Sequence, residues 1–155
     1  MSLKIKIISI GNIPPKPIQD ILLKYTSRFD DHFKLELLEI KPEKKNKSVE
    51  QKKMQEAEKI LKFIGTDFII SLDESGSSCS SISLSKKLSD WMQNFPKVTF
   101  IIGGADGLDK KIIENSNWTW SLSDLTLPHN LVKIIVVEQL YRASTILNNH
   151  PYHRE

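Results

Sequence analysis

Hydrophobic and polar positions along the chain change repeatedly between a two-residue period and a helical period. In the first segment, Lys4 to Gly11, β-branched residues alternate with lysines, which predicts a strand entering a core. After a proline-rich turn, helical spacing predicts an amphipathic helix that contains Ile18, Ile21, Leu22, Tyr25 and Phe29. Alternation returns at Lys34 to Lys41. A capping-box pattern of Ser48 and Gln51 then predicts a second helix that ends near Phe63.

The second half of the chain continues the same alternation of elements. Strands are predicted at Asp67 to Asp73 and at Val98 to Gly104, and the apolar run of the latter is typical of a strand covered on both faces. Helices are predicted at Leu108 to Asn115, at Leu131 to Asn148, and after a serine-rich loop around Leu84, Leu88, Trp91 and Met92. Because strands and helices alternate, we expect an α/β fold with a mainly parallel sheet, in a single domain spanning residues 1–155.

Composition narrows the function classes only slightly. Hydrophobic residues make up 39% and charged residues 26% of the chain, which predicts a folded globular domain rather than a disordered one. The net charge of +3 permits a polyanionic partner without requiring one. Cys79 is the only cysteine, so no intrachain disulfide is possible. Neither a signal peptide nor a membrane-length apolar run is recognisable, and a cytoplasmic protein is expected.

Two adjacent glycines, Gly103 and Gly104, end an apolar strand, and Gly107 follows three residues later. Ligands of open parallel sheets bind beyond the carboxyl ends of the strands, so the pair could mark a close approach of ligand to backbone. It could equally permit a tight turn into the next helix, and this stretch alone does not separate the two. The spacing matches neither G-x-G-x-x-G nor a Walker loop, which disfavours a phosphate cradle.

Other polar clusters favour structural roles. His150 and His153 are three residues apart but lack a nearby cysteine or carboxylate pair, so no metal site is predicted. Cys79 lies in a serine-rich stretch without an adjacent base, which favours a flexible loop over a nucleophile. Glutamates interrupt a lysine-rich run, a pattern typical of a solvated face rather than a phosphate-binding one; its lysines are Lys41, Lys44, Lys45, Lys47, Lys52 and Lys53.

The last predicted helix is apolar around most of its circumference, with a narrow polar stripe of Glu138, Arg142 and Thr145. A second subunit could cover this helix, and a wholly internal helix is the alternative. Glu138 and Arg142, four residues apart, could form a stabilising pair or anchor a functional arginine. Trp118 and Trp120 share one face of a strand, which favours core or interface packing over base stacking.

Several motifs then carry a specific resemblance. The stretch FIIGGADGL is followed by an S-x-x-x-L-T-L-P-H block, a Y-R-A block and a terminal Y-H-R-E. Together with KIKIISIGN and LDESG (Leu72 to Gly76), at this mutual spacing, they resemble the RlmH (YbeA) family of ribosomal RNA large-subunit methyltransferases, members of the SPOUT class. The similarity covers essentially the whole chain.

The resemblance implies a fold and an activity that periodicity does not show. It implies a C-terminal trefoil knot that binds S-adenosyl-L-methionine, and a homodimer whose interface includes the last helix. The implied reaction is methylation of N3 of a pseudouridine in 23S rRNA, within the assembled ribosome and without a separate RNA-binding domain. No metal and no membrane are implied. A catalytically silent RNA-binding dimer and a dinucleotide-dependent oxidoreductase are the rival hypotheses.

The resemblance also assigns site residues. The cofactor positions that it implies are Leu72, Gly103, Leu122, Ser123, Asp124, Leu125, Thr126 and Leu127. Candidates for the chemistry are Tyr152, His153 and Arg154 in the tail, together with Arg142 in the interface or beneath the site. The arginine of the tail would hold a phosphate or a developing uridine anion, and the histidine would accept the N3 proton or orient the base. Alternatively, the tail only docks RNA, and water takes the proton.

Overall fold

The computed structural model describes residues 2–43 and 46–154, so Lys44 and Lys45 of the lysine-rich run and Glu155 of the terminal motif lie outside the described residues. The elements are, in chain order, β1 (Leu3–Ile10), α1 (Lys16–Thr26), β2 (Phe33–Ile40), α2 (Val49–Leu61), β3 (Phe68–Ser77), α3 (Ser81–Asn94), β4 (Lys97–Ile102), α4 (Lys110–Glu114), β5 (Trp118–Trp120) and α5 (His129–Leu147).

The strands form one sheet in the order β2-β1-β4-β3-β5, and every pairing between described strands is parallel. In the register, Ile5 of β1 lies opposite Leu35 of β2 on one side and Val98 of β4 on the other. The predicted α/β fold with a mainly parallel sheet is therefore confirmed. All carboxyl ends of the strands meet at one edge, where parallel sheets usually bind ligands.

Helices cover both faces of the sheet, as the unbroken apolar run of β4 predicted. Alternate residues of a strand point to opposite faces, so Phe100 packs against the layer of α1, α3 and α5 while Ile101 packs against α2 and α4. Both side chains are fully buried. The stacked pair Trp118 and Trp120, with ring centroids 5.4 Å apart, belongs to the first layer and confirms the predicted packing role.

The end of β3 differs from the prediction. The sequence predicts a strand that ends at Asp73, whereas β3 continues to Ser77 through a bulge, and Ser77 pairs with Trp120 of β5. Gly76 makes this pairing possible, because a Cβ on it would lie 2.5 Å from the carbonyl oxygen of Thr119. Polar residues and a glycine, a composition that predicts a loop, therefore form part of the sheet.

Helix α5 begins at His129, two residues before the predicted start, and contacts α1 and α3. The predicted polar stripe is wrong at Thr145, which is buried; its hydroxyl donates to the carbonyl oxygen of Arg142 at 2.6 Å, which satisfies the polar group inside the protein. Lys133 is also buried, whereas the side chain of Leu131 is 46% exposed. None of the described helices is long and apolar enough to span a membrane.

Candidate active site

A cavity of about 820 Å³ opens where β4 and β5 end, beside the bulge of β3. Three chain segments and the start of α5 form its walls, with Lys53 of α2 at one side. The segments are Leu72 to Glu74 at the bulge of β3, Ile102 to Leu108 at and after the end of β4, and Trp120 to Ser123 with Leu125 to Pro128 at and after the end of β5. The cavity lies where ligands of parallel sheets usually bind and is large enough for a nucleoside-sized molecule.

The structure brings the predicted cofactor residues together in this cavity, although they come from three separate segments of the chain. Its wall includes Leu72, Gly103, Leu122, Ser123, Leu125, Thr126 and Leu127. Asp124 is the exception: it lies in the same loop, with its side chain exposed to solvent and outside the cavity wall. The wall therefore combines leucine side chains with the polar backbone of loops, a combination suited to a flat ligand with hydrogen-bonding edges.

Gly103 allows the loop after β4 to fold back on itself. A Cβ at this position would lie 2.7 Å from the carbonyl carbon of Gly107 and 2.9 Å from the amide nitrogen of Leu108. The return is closed by a hydrogen bond from the Gly107 amide to the Gly104 carbonyl at 3.1 Å, with Gly107 at a φ of 79°. The glycines therefore make a tight turn, as one reading expected, and its backbone forms one wall of the cavity; the close approach of a ligand there stays a prediction.

The loop after β5 is shaped by serine hydroxyls. The hydroxyl of Ser123 accepts from the Leu125 amide at 3.0 Å, and the Ser121 hydroxyl donates to the Ser123 carbonyl at 3.2 Å. These bonds turn the chain so that the side chain of Leu125 is 70% exposed at the mouth of the cavity. Pro128 then precedes α5, whose first residue, His129, also lines the cavity.

Charged side chains surround the cavity unevenly. Asp73 and Glu74 contribute carboxylates, and the Asp73 carboxylate accepts from the Ser75 amide at 3.0 Å. Asp106 is held by an ion pair with Lys52 of α2 at 3.1 Å, which ties that helix to the glycine loop. The neighbouring Lys53 lines the cavity. Carboxylates at the wall favour a ligand that carries a positive charge near them.

The candidate catalytic residues form a separate cluster on the middle and later turns of α5. The carboxylate oxygen Oε1 of Glu138 accepts from Arg142 Nε at 3.0 Å, from Arg142 Nη2 at 2.7 Å and from the Tyr152 hydroxyl at 3.1 Å. Arg142 also lies over the Tyr152 ring, 4.8 Å from its centroid. The tail therefore folds back onto α5, with Glu138 as the shared acceptor. Arg154 remains exposed.

His153 joins this cluster through one ring nitrogen. Its Nδ1 lies 3.2 Å from Arg142 Nη1, and a guanidinium can only donate, so Nδ1 is the acceptor. In the neutral ring the proton then sits on Nε2, a buried atom without a hydrogen-bond partner among the described residues. The geometry favours a histidine that donates from Nε2 over one that takes up a proton at Nδ1.

Burial and hydrogen bonding fix the charge states around Glu138. Burial raises the pKa of Tyr152 far above its ordinary value, with further contributions from Tyr25 and Glu138, so this residue stays a neutral phenol. The hydrogen bonds that Arg142 donates to the Glu138 carboxylate raise the pKa of Arg142, which keeps the guanidinium charged. Burial also raises the pKa of the Cys79 thiol, consistent with the prediction that this cysteine is not a nucleophile.

The two predicted halves of the site are not adjacent within one chain. The last α5 residue that lines the cavity is Val132, and Arg142 lies 10 residues later in the same helix. At 1.5 Å per residue this separation is about 15 Å along the helix axis. Neither the tail nor Arg142 lines the cavity. Within the described residues, no group of histidine, cysteine and carboxylate side chains is arranged to hold a metal ion.

Some site residues escaped the sequence reasoning. Lys53 and His129 line the cavity, and Glu138 is the common acceptor of the tail rather than a partner of Arg142 alone. A histidine that follows the L-T-L-P block was a usable signal for His129. Nothing in the sequence places Lys53, which reaches the cavity from a helix on the other side of the sheet.

The chain is similar to known methyltransferases along its full length. A family model described as predicted SPOUT methyltransferase matches residues 3–153. The "Ribosomal RNA large subunit methyltransferase H" of Methylobacillus flagellatus is 41% identical over 155 residues, covering 99% of this chain and all of that protein. The protein of the same description from Hydrogenovibrio crunogenus is 41% identical over 157 residues, with the same coverage.

Solved structures share the fold at low identity. A tRNA (m1G37) methyltransferase from Aquifex aeolicus superposes with a TM-score of 0.54 at 15% identity, covering all of this chain and 76% of that one. A probable methylase family protein from Haemophilus influenzae Rd KW20 gives a TM-score of 0.57 at 14% identity, covering 99% and 70%. At this identity the likeness supports the fold alone.

Proposed function

Since the chain belongs to the SPOUT methyltransferase family and is a methyltransferase, we propose that it methylates ribosomal RNA of the large subunit. The observation that carries this proposal is the 41% identity, over the full length of both chains, to proteins described as large-subunit ribosomal RNA methyltransferases. In detail, we propose that the methyl donor is S-adenosyl-L-methionine and that the acceptor is N3 of a pseudouridine in 23S rRNA of the assembled, cytoplasmic ribosome.

The residues of the cavity fit such a donor. Leu72, Leu122 and Leu127 offer apolar surface for an adenine ring, and the backbone of the loops after β4 and β5 offers groups for its polar edges. The carboxylates of Asp73 and Glu74 suit the positive groups of the donor. When bound, S-adenosyl-L-methionine supplies an activated methyl group on its sulfonium. The trefoil knot implied by the family resemblance is part of this proposal.

We assign the tail to the target nucleotide. The exposed Arg154 is available to bind a phosphate or to stabilise the anion of the deprotonated base. We assign His153 to orienting the base: its Nδ1 is occupied by Arg142, and its buried Nε2 becomes a donor to the base once the tail shifts on RNA binding. Tyr152 and Arg142 hold the tail in place through Glu138. In this arrangement the N3 proton leaves to water rather than to His153.

A second copy of the chain would complete the site. The tail is held at Glu138 and Arg142, about 9 to 15 Å of helix beyond Val132 at the cavity, whereas reacting atoms must lie within about 3.5 Å of each other. A homodimer through α5 would bring the tail of one subunit to the cavity of the other. Exposed apolar side chains around the mouth of the cavity and on the first turns of α5 are available to bury in such an interface, among them Leu125 and Leu131.

The test is transfer of radiolabelled methyl from S-adenosyl-L-methionine to ribosomes that lack the modification. Separate subunits and ribosomes without pseudouridine are the controls. We expect label in the large-subunit RNA of assembled, pseudouridine-containing ribosomes and in neither control. Donor binding without label in any RNA would favour a silent RNA-binding dimer instead. Tight binding of NADH in place of S-adenosyl-L-methionine would favour an oxidoreductase.

A further inference from the structure

Four lysines lie together at the amino end of the sheet, on the edge opposite the cavity. In the parallel register, Lys4 of β1 is directly opposite Lys34 of β2 and Lys97 of β4. Lys6 follows Lys4 on the same face of β1, because alternate residues of a strand share a face. We call these residues, Lys4, Lys6, Lys34 and Lys97, the lysine cluster.

The groove beside the lysine cluster is lined by strand residues, and among the described residues no helix residue lines it. The lysine cluster shares the face of Ile8 and Ile101, which α2 and α4 bury nearer the carboxyl ends of the strands. At the amino ends the same face opens into this groove of about 260 Å³, lined by the four lysines with Ile5, Leu35 and Glu36. Lys4 and Lys34 are exposed on this groove.

Two carboxylates face the cluster and leave it with excess positive charge. Asp67 lies 3.7 Å from the Lys97 amine, and the same carboxylate accepts from the Thr99 hydroxyl at 2.8 Å. Glu36 lies opposite Lys6 in the register and is exposed. Four cations thus meet two anions. Neither Lys4 nor Lys34 has an ion pair among the residues that the structure describes.

Lys6 is the buried member of the lysine cluster. The side chain is 8% exposed and donates to the carbonyl oxygen of Phe63 at 3.1 Å. Its pKa lies below the ordinary lysine value, first because of its contact with Lys97 and then because of burial. Like charges directly opposite in neighbouring strands destabilise a sheet, so the cluster lowers stability unless an anion binds there.

We propose that the lysine cluster binds backbone phosphates of the large-subunit RNA at a second contact remote from the reacting nucleotide. Lys34, Lys4 and Lys97 form a row across three strands, which at about 4.8 Å per strand spans roughly 10 Å. A row of cations in an open groove matches a polymer of phosphates better than a single small anion. This inference rests on the proposed function, since it takes ribosomal RNA as the substrate.

The position of the cluster gives this contact a role in docking. Lys97 opens β4 and Gly103 follows its last residue, so about 20 Å of strand separates the cluster from the cavity. Phosphate contacts fix the orientation of a protein on its nucleic acid without reading sequence. A second anchor at this distance would orient a small enzyme with a net charge of only +3 on a large RNA.

The experiment measures equilibrium binding of the full chain to unmodified ribosomes, and to protein-free large-subunit RNA, over a series of salt concentrations. The test variant is Lys4→Gln with Lys34→Gln. The matched control is Lys24→Gln with Lys86→Gln, two exposed lysines from the helices on the other face of the sheet. A charge-preserving variant, Lys4→Arg with Lys34→Arg, checks that any loss comes from charge rather than from folding.

We expect the test variant to bind both RNA substrates about tenfold more weakly, with a salt slope shallower by about 1.4 for two lost phosphate contacts. Affinity for S-adenosyl-L-methionine should be unchanged, and the arginine variant should bind like the unmodified chain. An equal loss in the control pair would mean that only net charge matters and would overturn the inference. Weakened binding to ribosomes but not to protein-free RNA would assign the cluster to a ribosomal protein, which also overturns it.

These outcomes are independent of the catalytic proposal. If the unmodified chain binds ribosomes through the lysine cluster but transfers no methyl group, the proposed function fails while the RNA contact stands. If methyl transfer occurs and the test variant binds like the control pair, the contact fails while the function stands.

Discussion

At the residue scale, the packing of its own loop requires a glycine at position 103, whether or not a ligand is bound. Its missing Cβ makes room for the backbone of Gly107 and Leu108, which then forms a wall of the cavity. A Cβ at Gly104 would instead lie nearest to a side-chain atom, the Cγ2 methyl of Ile10, at 3.1 Å. A side chain can shift more easily than backbone, so the two adjacent glycines differ in tolerance.

We therefore expect Gly103→Ala to weaken binding of S-adenosyl-L-methionine more than Gly104→Ala does. Overpacking against backbone costs about 1–3 kcal/mol, which corresponds to roughly fivefold to 150-fold in affinity. Calorimetric titration of both variants with S-adenosyl-L-methionine provides the comparison. Equal affinity of Gly103→Ala and the unmodified chain would show that the loop is free to open at this point.

Lys133 is the second residue whose environment is unusual, since it is a fully buried lysine in an otherwise apolar helix. Its amine pairs with Glu39 of β2, and the other oxygen of that carboxylate accepts from the Ser9 hydroxyl at 2.6 Å. The pair joins the first turns of α5 to the carboxyl ends of β1 and β2. It thereby helps to hold His129 and Val132 at the cavity.

Removing one partner of this pair should be costly, because it leaves the other charge without compensation. We predict that Lys133→Met lowers the free energy of unfolding by about 3 kcal/mol, whereas Lys133→Met with Glu39→Gln loses less. Urea unfolding of both variants measures the difference. A single variant as stable as the unmodified chain would mean that the Glu39 carboxylate is solvated without Lys133.

At the element scale, Glu43, which follows β2, forms ion pairs with two lysines, one just before α2 and one within it. The Glu43 carboxylate lies 2.7 Å from the Lys59 amine and 3.1 Å from the Lys47 amine. Both contacts lower the pKa of Glu43, the contact with Lys59 more than that with Lys47, from an ordinary 4.5 to about 2. A carboxyl group whose pKa is lower in the folded state stabilises the fold above the unfolded pKa and loses that effect as the pH falls.

Glu43→Gln should therefore be less stable than the unmodified chain at neutral pH, and the difference should shrink as the pH falls from about 5 to about 2. Urea unfolding of both proteins across this range tests the prediction. Glu58→Gln, at an exposed position of α2 outside this ion-pair network, is the control. A difference that stayed constant from neutral pH to pH 2 would contradict the assignment.

At the scale of the whole molecule, local patterns determined the fold more fully than the site. The periods of the sequence predicted the strands, the helices and the two covered faces, because burial on a sheet imposes them directly. The extension of β3 to Ser77 was not predictable, since it depends on a contact between Gly76 and Thr119. Lys133 reads as a surface residue until its distant partner, Glu39, is placed beside it.

The structure brings the leucines and the glycine of the proposed cofactor site into one cavity, and their role in binding a cofactor stays a prediction. The tail packs on the middle and later turns of α5, away from the cavity. No sequence pattern reports that separation, because it follows from the rigid length of one helix. The trefoil knot and the dimer remain predictions.

If the tail acts on the cavity of a partner, activity should return in mixed dimers. A chain truncated after Asn149 keeps its cavity and should bind S-adenosyl-L-methionine, whereas Gly103→Val keeps its tail. Each homodimer should be inactive. An equal mixture, refolded together, should recover about a quarter of the activity, since half of the dimers carry one complete site. If mixed dimers form and no activity is recovered, the tail and cavity of each site lie in the same chain.

The most direct test of the central claim is the chemical identity of the product. Ribosomes that lack the modification would be incubated with the enzyme and isotopically labelled S-adenosyl-L-methionine. The nucleosides of each RNA would then be identified by mass spectrometry. We predict one labelled nucleoside, N3-methylpseudouridine, from the large-subunit RNA alone. Label in another nucleoside, or in transfer RNA, would contradict the account.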